Sequence, residues 1–261
     1  MRYTDGKDSM IEVRLFKDAN LKGATFIEGF PGVGLVGPMA ISYMVEKLEM
    51  EYVGYIQSNQ FPPIISVHDN VPMPPVRIYY SERSKLVTIF AEFAIPLELT
   101  YEMAEIVYRF IKDQKLSKII SIGGVPVQLS TGKQLQGFAI ASTPALVKEA
   151  QTAGLKPVGD GVSTGIGALI ITKAAFEGTV PDINVLVPVD PGIIDPKYAE
   201  LAIKNINKLL KLNIDTTALE KEAKEVEAKL REIIEKNRQT HESYKRAIEG
   251  AGTSSGPPVY A

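Results

Sequence analysis

Three short stretches of this 261-residue sequence contain residue types whose spacing could support chemistry, and the first is rich in glycine. Gly32 to Gly37 (GVGLVG) matches the G-x-G-x-x-G pattern, in which backbone amides at a helix N-terminus approach a pyrophosphate. A dinucleotide site also uses an acidic residue at the end of the next strand, whereas Glu51 lies at the start of that strand. Pro31 and Pro38 stiffen the loop further. We favour close packing of a helix on a sheet as the purpose of these glycines, with nucleotide binding as an alternative.

The second stretch, Gly161 to Gly165 (GVSTG), matches the G-x-S-x-G pattern of a nucleophile elbow. An elbow directly follows a buried strand and needs a histidine base. Here the preceding residues are LKPVGD, and the one histidine that follows, His241, belongs to a highly charged segment. We therefore do not expect hydrolysis, and we expect Ser163 or Thr164 to cap a helix over residues 165–176.

The third stretch is His68-Asp69, within the proline-rich segment 61–75 (FPPIISVHDNVPMPP). A neighbouring histidine and aspartate can act as an acid/base pair, but no nucleophile or second metal ligand is evident nearby in the sequence. Five prolines predict a rigid loop, and its apolar residues predict a protein interface. These residues are Phe61, Ile64, Ile65, Val71 and Met73.

Composition narrows the function further. With no cysteine and two histidines, the chain is not expected to hold a disulfide, a thiolate nucleophile or a metal site, and no cofactor is expected. A net charge of −2 argues against nucleic acid as a partner. A polar N-terminus and the lack of an apolar run of ~18–20 residues predict a cytoplasmic protein that neither enters nor spans a membrane. The absence of cysteine and tryptophan beside many Lys and Glu suggests a thermophilic source.

The elements that would position these stretches alternate between strand and helix. Short runs rich in β-branched residues predict strands over 11–16, 24–28, 51–57, 76–80, 86–91, 118–122, 137–141 and 183–187. Amphipathic segments predict helices over 35–48, 99–115, 144–153 and 165–176, with Thr100 as a cap of the second. The pattern predicts an α/β fold with a mixed sheet flanked by helices. Gly123-Gly124 ends one strand and would lie near the Gly32 loop, at the sheet edge where a ligand would be sought.

After residue 195 the sequence changes to charged, helical segments. Asp195-Pro196 predicts the start of a helix that extends to about Leu212, and Asp215 and Thr216 can cap a second helix. The second helix has apolar positions spaced by four and three residues, namely Leu219, Ala223, Val226, Leu230 and Ile233. This heptad seam packs either on the preceding helix of the same chain or on another subunit. We predict an α/β domain over 1–195, charged helices over 196–248 and a flexible tail over 249–261.

The last three residues, Val259-Tyr260-Ala261, follow a Gly/Ser stretch and Pro257-Pro258. An apolar side chain, a phenol and a terminal carboxylate suit capture of the tail by a pocket that contains a lysine. A frayed terminus is the alternative.

The stretch Gly29 to Gly37 (GFPGVGLVG), followed by a helix, resembles the opening signature of the proteasome assembly chaperone 2 family. The resemblance covers roughly residues 10–210 and includes further matching segments. They are Gln60-Phe61-Pro62-Pro63, Phe90-Ala91-Glu92, Gly123-Gly124 and Gly159 to Gly167. It implies a fold like that of nucleoside phosphorylases, without a retained phosphorylase site.

Archaeal members of that family end in a hydrophobic-Tyr-any-residue motif, which in proteasome activators docks between α-subunits of the core particle. The resemblance implies that Val259 is the hydrophobic position, that Tyr260 is the tyrosine, and that the Ala261 carboxylate pairs with a pocket lysine. It therefore predicts a non-enzymatic, homo-oligomeric assembly chaperone or activator homologue that associates through apolar loops and charged helices. The alternatives are a scaffold with a sequestered tail and a different protein partner, or a nucleotide- or nucleoside-binding enzyme that uses the Gly32–Gly37 loop.

Overall fold

The computed structural model describes residues 2–4, 11–16, 19–68, 70–127, 135–191 and 193–219. Asp69, the heptad seam beyond Leu219 and the tail residues Val259, Tyr260 and Ala261 lie outside the described residues. The strands are β1 (Arg2–Thr4), β2 (Ile11–Leu15), β3 (Thr25–Gly29), β4 (Glu51–Ser58), β5 (Ser66–His68), β6 (Val71–Met73), β7 (Val76–Ser81), β8 (Leu86–Ala91), β9 (Lys118–Pro126), β10 (Phe138–Ala141), β11 (Lys156–Pro157) and β12 (Asp182–Val189). The helices are α1 (Val36–Lys47), α2 (Thr100–Asp113), α3 (Pro144–Thr152), α4 (Ile166–Glu177) and α5 (Pro196–Leu210).

Ten of these strands form one mixed sheet in the order β1-β2-β4-β7-β8-β3-β9-β12-β10-β11. Strands β8, β3, β9 and β12 are parallel neighbours, whereas β7 pairs antiparallel with both β4 and β8. It follows that β4, β8, β3, β9 and β12 all run in the same direction. The predicted mixed α/β fold is confirmed, as are the eight predicted strands and the hairpin of β7 and β8. The short strands β1, β5, β6 and β11 were not predicted.

Helices cover both faces of the sheet. On one face α1, α3 and α5 pack over a core that includes Ile27 and Ile120, and on the other face α2 and α4 pack over Phe26 and Ile119. Successive residues of β3 and β9 therefore enter opposite cores, as the two-residue period of a strand requires. The central strands are consequently apolar on both sides, which makes the rare polar side chains in them informative.

Helix starts were predicted with mixed success. Asp195 caps α5 as expected, because its side chain accepts the Lys197 amide at 2.9 Å. Thr100 is not a cap: a 3-10 turn precedes α2, and the Thr100 hydroxyl donates to the Pro96 carbonyl instead. Ser163 and Thr164 are not caps either, since the chain enters α4 through Gly165 at a φ of 92°, a left-handed angle that glycine adopts without strain.

The chain after α5 is fastened to the body at the edge of the sheet opposite the carboxyl ends of the parallel strands. The Asn207 side chain donates to the Ile214 carbonyl and accepts the Ile214 amide, and the Tyr43 hydroxyl donates to the Asp215 carbonyl. Leu219, the first position of the heptad seam, is buried in the core with α1 and α5. This position packs on its own chain, whereas the other seam positions lie outside the described residues. The helices of the described part include none that is long and apolar enough to cross a bilayer.

Candidate functional site

The Gly32 loop is shaped by contact between backbones. The loop connects β3 to α1 through a 3-10 turn, with Gly34 and Leu35 both at positive φ. A Cβ atom added to Gly37 would lie 2.7 Å from the Gly29 Cα, a distance that real Cβ atoms do not reach. Helix α1 therefore rests directly on the end of β3. The expectation that these glycines serve close packing of a helix on the sheet is confirmed.

The Gly32 loop also packs closely on the two neighbouring strands, β9 and β12. A Cβ atom on Gly124 would lie 2.1 Å from the Val33 carbonyl oxygen, and one on Gly34 would lie 3.0 Å from a Val189 methyl group. Gly123-Gly124 thus lies beside the Gly32 loop, as predicted. The Val33 carbonyl therefore packs closely against β9 where Gly124 lies. Gly32, in contrast, faces open space.

The Gly161–Gly165 segment lacks the setting of a nucleophile elbow. It follows β11, an exposed strand of two residues, and its own residues are exposed, with Val162 at 95%. Ser163 is therefore not presented by a buried strand, which a strained elbow requires.

The His68 side chain belongs to a cluster with two buried charged residues, Arg77 and Glu92, that the sequence did not reveal. Its Nε2 lies 3.1 Å from Glu92 Oε1, and the same oxygen accepts a 2.6 Å hydrogen bond from Arg77 Nη2. Arg77 and Glu92 are buried, and the Arg77 guanidinium stacks over the Phe90 ring. The sequence did contain one signal for this cluster. In the predicted hairpin of β7 and β8, Arg77 pairs with Phe90, which places Glu92 close to Arg77. The three groups tie the hairpin of β5 and β6 to the sheet and contain no nucleophile.

A row of polar side chains crosses the centre of the sheet under α4. Glu28, Ser121 and Asn184 are direct neighbours on β3, β9 and β12. Burial raises the pKa of Glu28 from 4.5 to about 7, against the opposing effect of the hydrogen bond from the Phe30 amide and of the nearby Ser121 hydroxyl. The glycine at the start of α4 makes room for the row. A Cβ on Gly167 would lie 2.7 Å from Glu28 Oε1.

Asp182 extends this row toward the start of β12. Burial raises its pKa well above the ordinary value, and the negative charge of Glu28 raises it further. Neither Asp182 oxygen has hydrogen-bond geometry with another described group, and the nearby Ile183 amide lowers the pKa only in part. Such carboxyl groups can hold protons, but the helix above them blocks a substrate.

Large exposed apolar side chains gather at the carboxyl edge of the sheet. Eight lie in the segments that follow β3, β4, β8 and β12, including the hairpin of β5 and β6, in the first turn of α2, or in the segment before α4; we call these eight residues the apolar rim. They are Val33, Ile65, Val67, Val71, Leu97, Tyr101, Val162 and Ile193. Two further exposed residues, Phe16 and Phe176, lie at the opposite edge. In segment 61–75, Ile65 and Val71 are exposed whereas Phe61 and Ile64 pack against the core, and the interface expected there stays a prediction.

A polar cleft of about 960 Å³ lies at the opposite edge, away from the glycine loop. Its lining includes Lys47, Glu49, Glu82, Arg83 and Asn213, a mixture of charges that favours no particular ligand. This cleft and the glycine loop therefore lie at opposite edges of the sheet.

The model of the PAC2 family matches residues 26–234 of the sequence, which is most of the chain and includes the glycine loop, the polar row and the rim. The chain belongs to the PAC2 family. Among curated relatives of this PAC2 protein, the uncharacterized protein MJ0106 of Methanocaldococcus jannaschii is 28% identical over 212 residues, which are 81% of this chain and 85% of MJ0106.

Solved structures agree with that assignment. The chain is similar to Pyrococcus furiosus PbaA, described as an archaeal homolog of proteasome-assembly chaperone, with a TM-score of 0.78 and 27% identity over 90% of this chain and 99% of PbaA. It also shares the fold of P. furiosus PbaB, described as an archaeal proteasome activator, with a TM-score of 0.72 and 23% identity over 86% of this chain and 98% of PbaB. The PAC2 protein is thus a homologue of proteasome assembly chaperones. Its likeness to nucleoside phosphorylases stays a prediction.

Proposed function

We propose that this protein is a non-enzymatic, ATP-independent proteasome assembly chaperone or activator that docks its C-terminal tail into pockets between α-subunits of the core particle. Membership of the PAC2 family, together with the likeness to PbaA over nearly the whole chain, is the observation that supports this function most. The hydrophobic-Tyr-any-residue pattern of Val259-Tyr260-Ala261 supplies the docking element. The glycines of the Gly32 loop serve close packing of the loop and α1 on the sheet, which accounts for the G-x-G-x-x-G pattern without a nucleotide and supports a role without catalysis.

Several tails must act together, because one short tail binds weakly. We propose that copies of the chain associate in the cytoplasm and present their tails as a set. Tethering converts each later docking step into an intramolecular one, which strengthens binding by ~10²–10⁴-fold. The hydrogen bonds after α5 hold the chain to the body at Ile214 and Asp215, before the residues that precede the tail.

The test is binding of the purified protein to core particles and to α-subunits. Removal of Val259–Ala261, or Tyr260→Ala alone, should abolish binding and leave the thermal unfolding transition unchanged. Ser254→Ala, in the same tail but outside the motif, is the matched control and should bind normally. Normal binding by the Tyr260→Ala variant would refute the tail mechanism.

Two further measurements address the alternatives. Limited proteolysis should clip an exposed tail rapidly, whereas slow cleavage would favour a scaffold with a sequestered tail and another protein partner. Thermal shift with NAD, ATP and purine nucleosides should show no stabilisation, since a ligand that binds the native state raises the unfolding temperature.

A further inference from the structure

We propose that the first two turns of α4 form a proton-controlled cover over the polar row: they stay closed while the Glu28 carboxyl holds its proton, and they open more often once it ionises. The cover consists of residues 166–172. This inference goes beyond the proposed function, because it needs neither the tail nor a partner. A failure of one therefore leaves the other untouched.

Oxygen atoms of the polar row meet the cover at Gly167. A Cβ atom added to Gly167 would lie 2.7 Å from Glu28 Oε1 and 3.3 Å from Ser121 Oγ, so both oxygens lie directly beneath the helix backbone. The Asn184 side chain donates to the Gly167 carbonyl at 3.3 Å. Ser121 Oγ and Asn184 Oδ1 have no hydrogen-bond partner among the described groups, although both side chains are almost fully buried. Opening of the cover would give these oxygens the water that the closed form denies them.

Glycines with left-handed backbone angles flank α4 at both ends. Gly165 has a φ of 92° and Gly178 has a φ of 65°, angles that glycine adopts without strain. A Cβ atom on Gly165 would meet no neighbour, and residues 159–165 are exposed throughout. The chain can therefore turn at Gly165 without disturbing a packed element.

Ion pairs to α2 fix the other end of α4. Lys112 Nζ lies 2.8 Å from Glu177 Oε2, and Lys173 pairs with Glu105. Both pairs join the same two helices, and both lie beyond the cover. Opening of α4 should therefore begin at its first turn rather than at its last.

Charged side chains on the elements around Glu28 are engaged with other groups or are themselves acidic. Lys118 pairs with Glu149 on the other face of the sheet. Strand β8 contains no charged residue. The charged residues are Lys173 and Glu177 of α4, Glu102, Glu105, Arg109, Lys112 and Asp113 of α2, Lys118 of β9 and Asp182 of β12.

The direction of the effect follows from the pKa of Glu28. Burial raises this pKa from 4.5 to about 7 in the closed form, whereas a carboxyl in water returns to its ordinary value. The proton thus stabilises the closed form fully below pH 4.5, and this stabilisation is lost as pH rises through about 7. The equilibrium constant for opening should rise roughly a hundredfold between pH 4.5 and pH 8, mostly below pH 7. Burial of Ile166 and Ile170 keeps the open form a minor one at every pH.

Amide hydrogen exchange of the full chain, followed residue by residue by NMR, tests the inference. The amides of Leu169, Ile170 and Ile171 close the first turns of α4 and report their opening. We expect their protection, relative to an unstructured chain at the same pH, to fall roughly a hundredfold from pH 4.5 to pH 8. It should stay below that of Val107 and Phe110 in α2 and respond less to dilute urea, because a local opening exposes less surface than unfolding does.

Three variants assign the effect to Glu28. In Glu28→Gln the protection should change by less than about threefold over the same pH range, because no proton is left to lose. Ser121→Ala should extend the fall in protection above pH 7, since the hydroxyl that lowers the pKa of Glu28 is gone. It also carries the assignment if Glu28→Gln does not fold, which circular dichroism checks. Glu177→Gln, the same change at the other end of α4, is the matched control and should keep the wild-type profile.

A protection that does not vary with pH in wild type would overturn the inference, and so would the wild-type pH dependence in a folded Glu28→Gln. Equal protection of the α4 and α2 amides, with the same response to urea, would overturn it as well. The opening would then be unfolding of the whole protein. Binding to core particles tests the proposed function separately and does not enter this measurement.

Discussion

Replacement of the buried Glu28 by glutamine tests how the centre of the sheet tolerates an acid. Glu28 is almost fully buried beneath α4, and burial raises its pKa to about 7. The neutral amide of Glu28→Gln is close in shape to the protonated carboxyl. Its oxygen can still accept the Phe30 amide. The variant therefore mimics the protonated form at every pH.

The sign of the expected stability difference between Glu28→Gln and wild type follows from the raised pKa of Glu28. A carboxyl whose pKa is higher in the folded state binds its proton more tightly when folded. The contribution of Glu28 to the free energy of unfolding is thus greatest below pH 4.5 and is lost as pH rises through about 7. A difference from 4.5 to about 7, at 1.36 kcal/mol per unit, corresponds to about 3 kcal/mol. We expect Glu28→Gln to be more stable than wild type by about this amount at pH 8, and the two to converge near pH 4.5.

Urea unfolding at fixed protein concentration, from pH 4.5 to pH 8, measures the difference. Asp182→Asn should shift the profile in the same direction, because burial also raises the pKa of Asp182. Glu98→Gln, at an exposed position, is the matched control and should leave the profile parallel to that of wild type. Parallel profiles for wild type and Glu28→Gln, or a less stable Glu28→Gln at pH 8, would show that the carboxyl is not buried as described.

Three further predictions concern packing and polar contacts, each measured by urea unfolding. Gly37→Ala should destabilise the protein by about 2 kcal/mol or more, because its Cβ would overlap the Gly29 backbone. The control Gly32→Ala should change stability by less than about 0.5 kcal/mol, because a Cβ there meets no neighbour. Equal effects of the two variants would contradict the packing role of Gly37. Arg77→Met should lower the free energy of unfolding by about 3 kcal/mol, because it leaves Glu92 buried without its strongest partner. His68→Ala, at a side chain 42% exposed, should lower it by less than about 1 kcal/mol. The reverse order would refute this account of the three side chains. Asn207→Ala should lower the free energy of unfolding by about 1–3 kcal/mol and speed amide hydrogen exchange at Ile214, because it removes both side-chain hydrogen bonds to that residue. Unchanged exchange would argue that these bonds do not hold the chain after α5 to the body.

The elements that sequence predicted well are those with a strong local pattern. Strands such as β8 and β9 are runs of β-branched and apolar residues, and α2 has a clear apolar face, so local propensity and burial agree. The hairpin of β5 and β6 was missed because five prolines in residues 61–75 oppose strand pairing. The caps at Thr100 and Ser163 were wrong because backbone geometry, a 3-10 turn and a left-handed glycine, begins those helices.

Some features of the candidate sites could likewise be predicted from the sequence, and others could not. The packing role of Gly32–Gly37 was predictable, since Pro31, Pro38 and the misplaced Glu51 all opposed a nucleotide site. The polar row was not, because it depends on the register of β3, β9 and β12, and strand register is set by contacts far apart in sequence. Asp182 even lay outside the predicted strand, which began at residue 183. A lone glutamate within the apolar run TFIEG was the one local signal.

The contact between Gly124 and the Val33 carbonyl offers a criterion for classifying protein sequences that contain the G-x-G-x-x-G pattern. A scan for G-x-G-x-x-G alone would assign this chain to the oxidoreductases. A scan that also requires a Gly-Gly pair within the adjacent parallel strand, as in β9, would identify chains whose loop packs on that strand, because any side chain at that second position would push the loop outward. The same contact marks where an engineer would begin to open a crevice for a ligand.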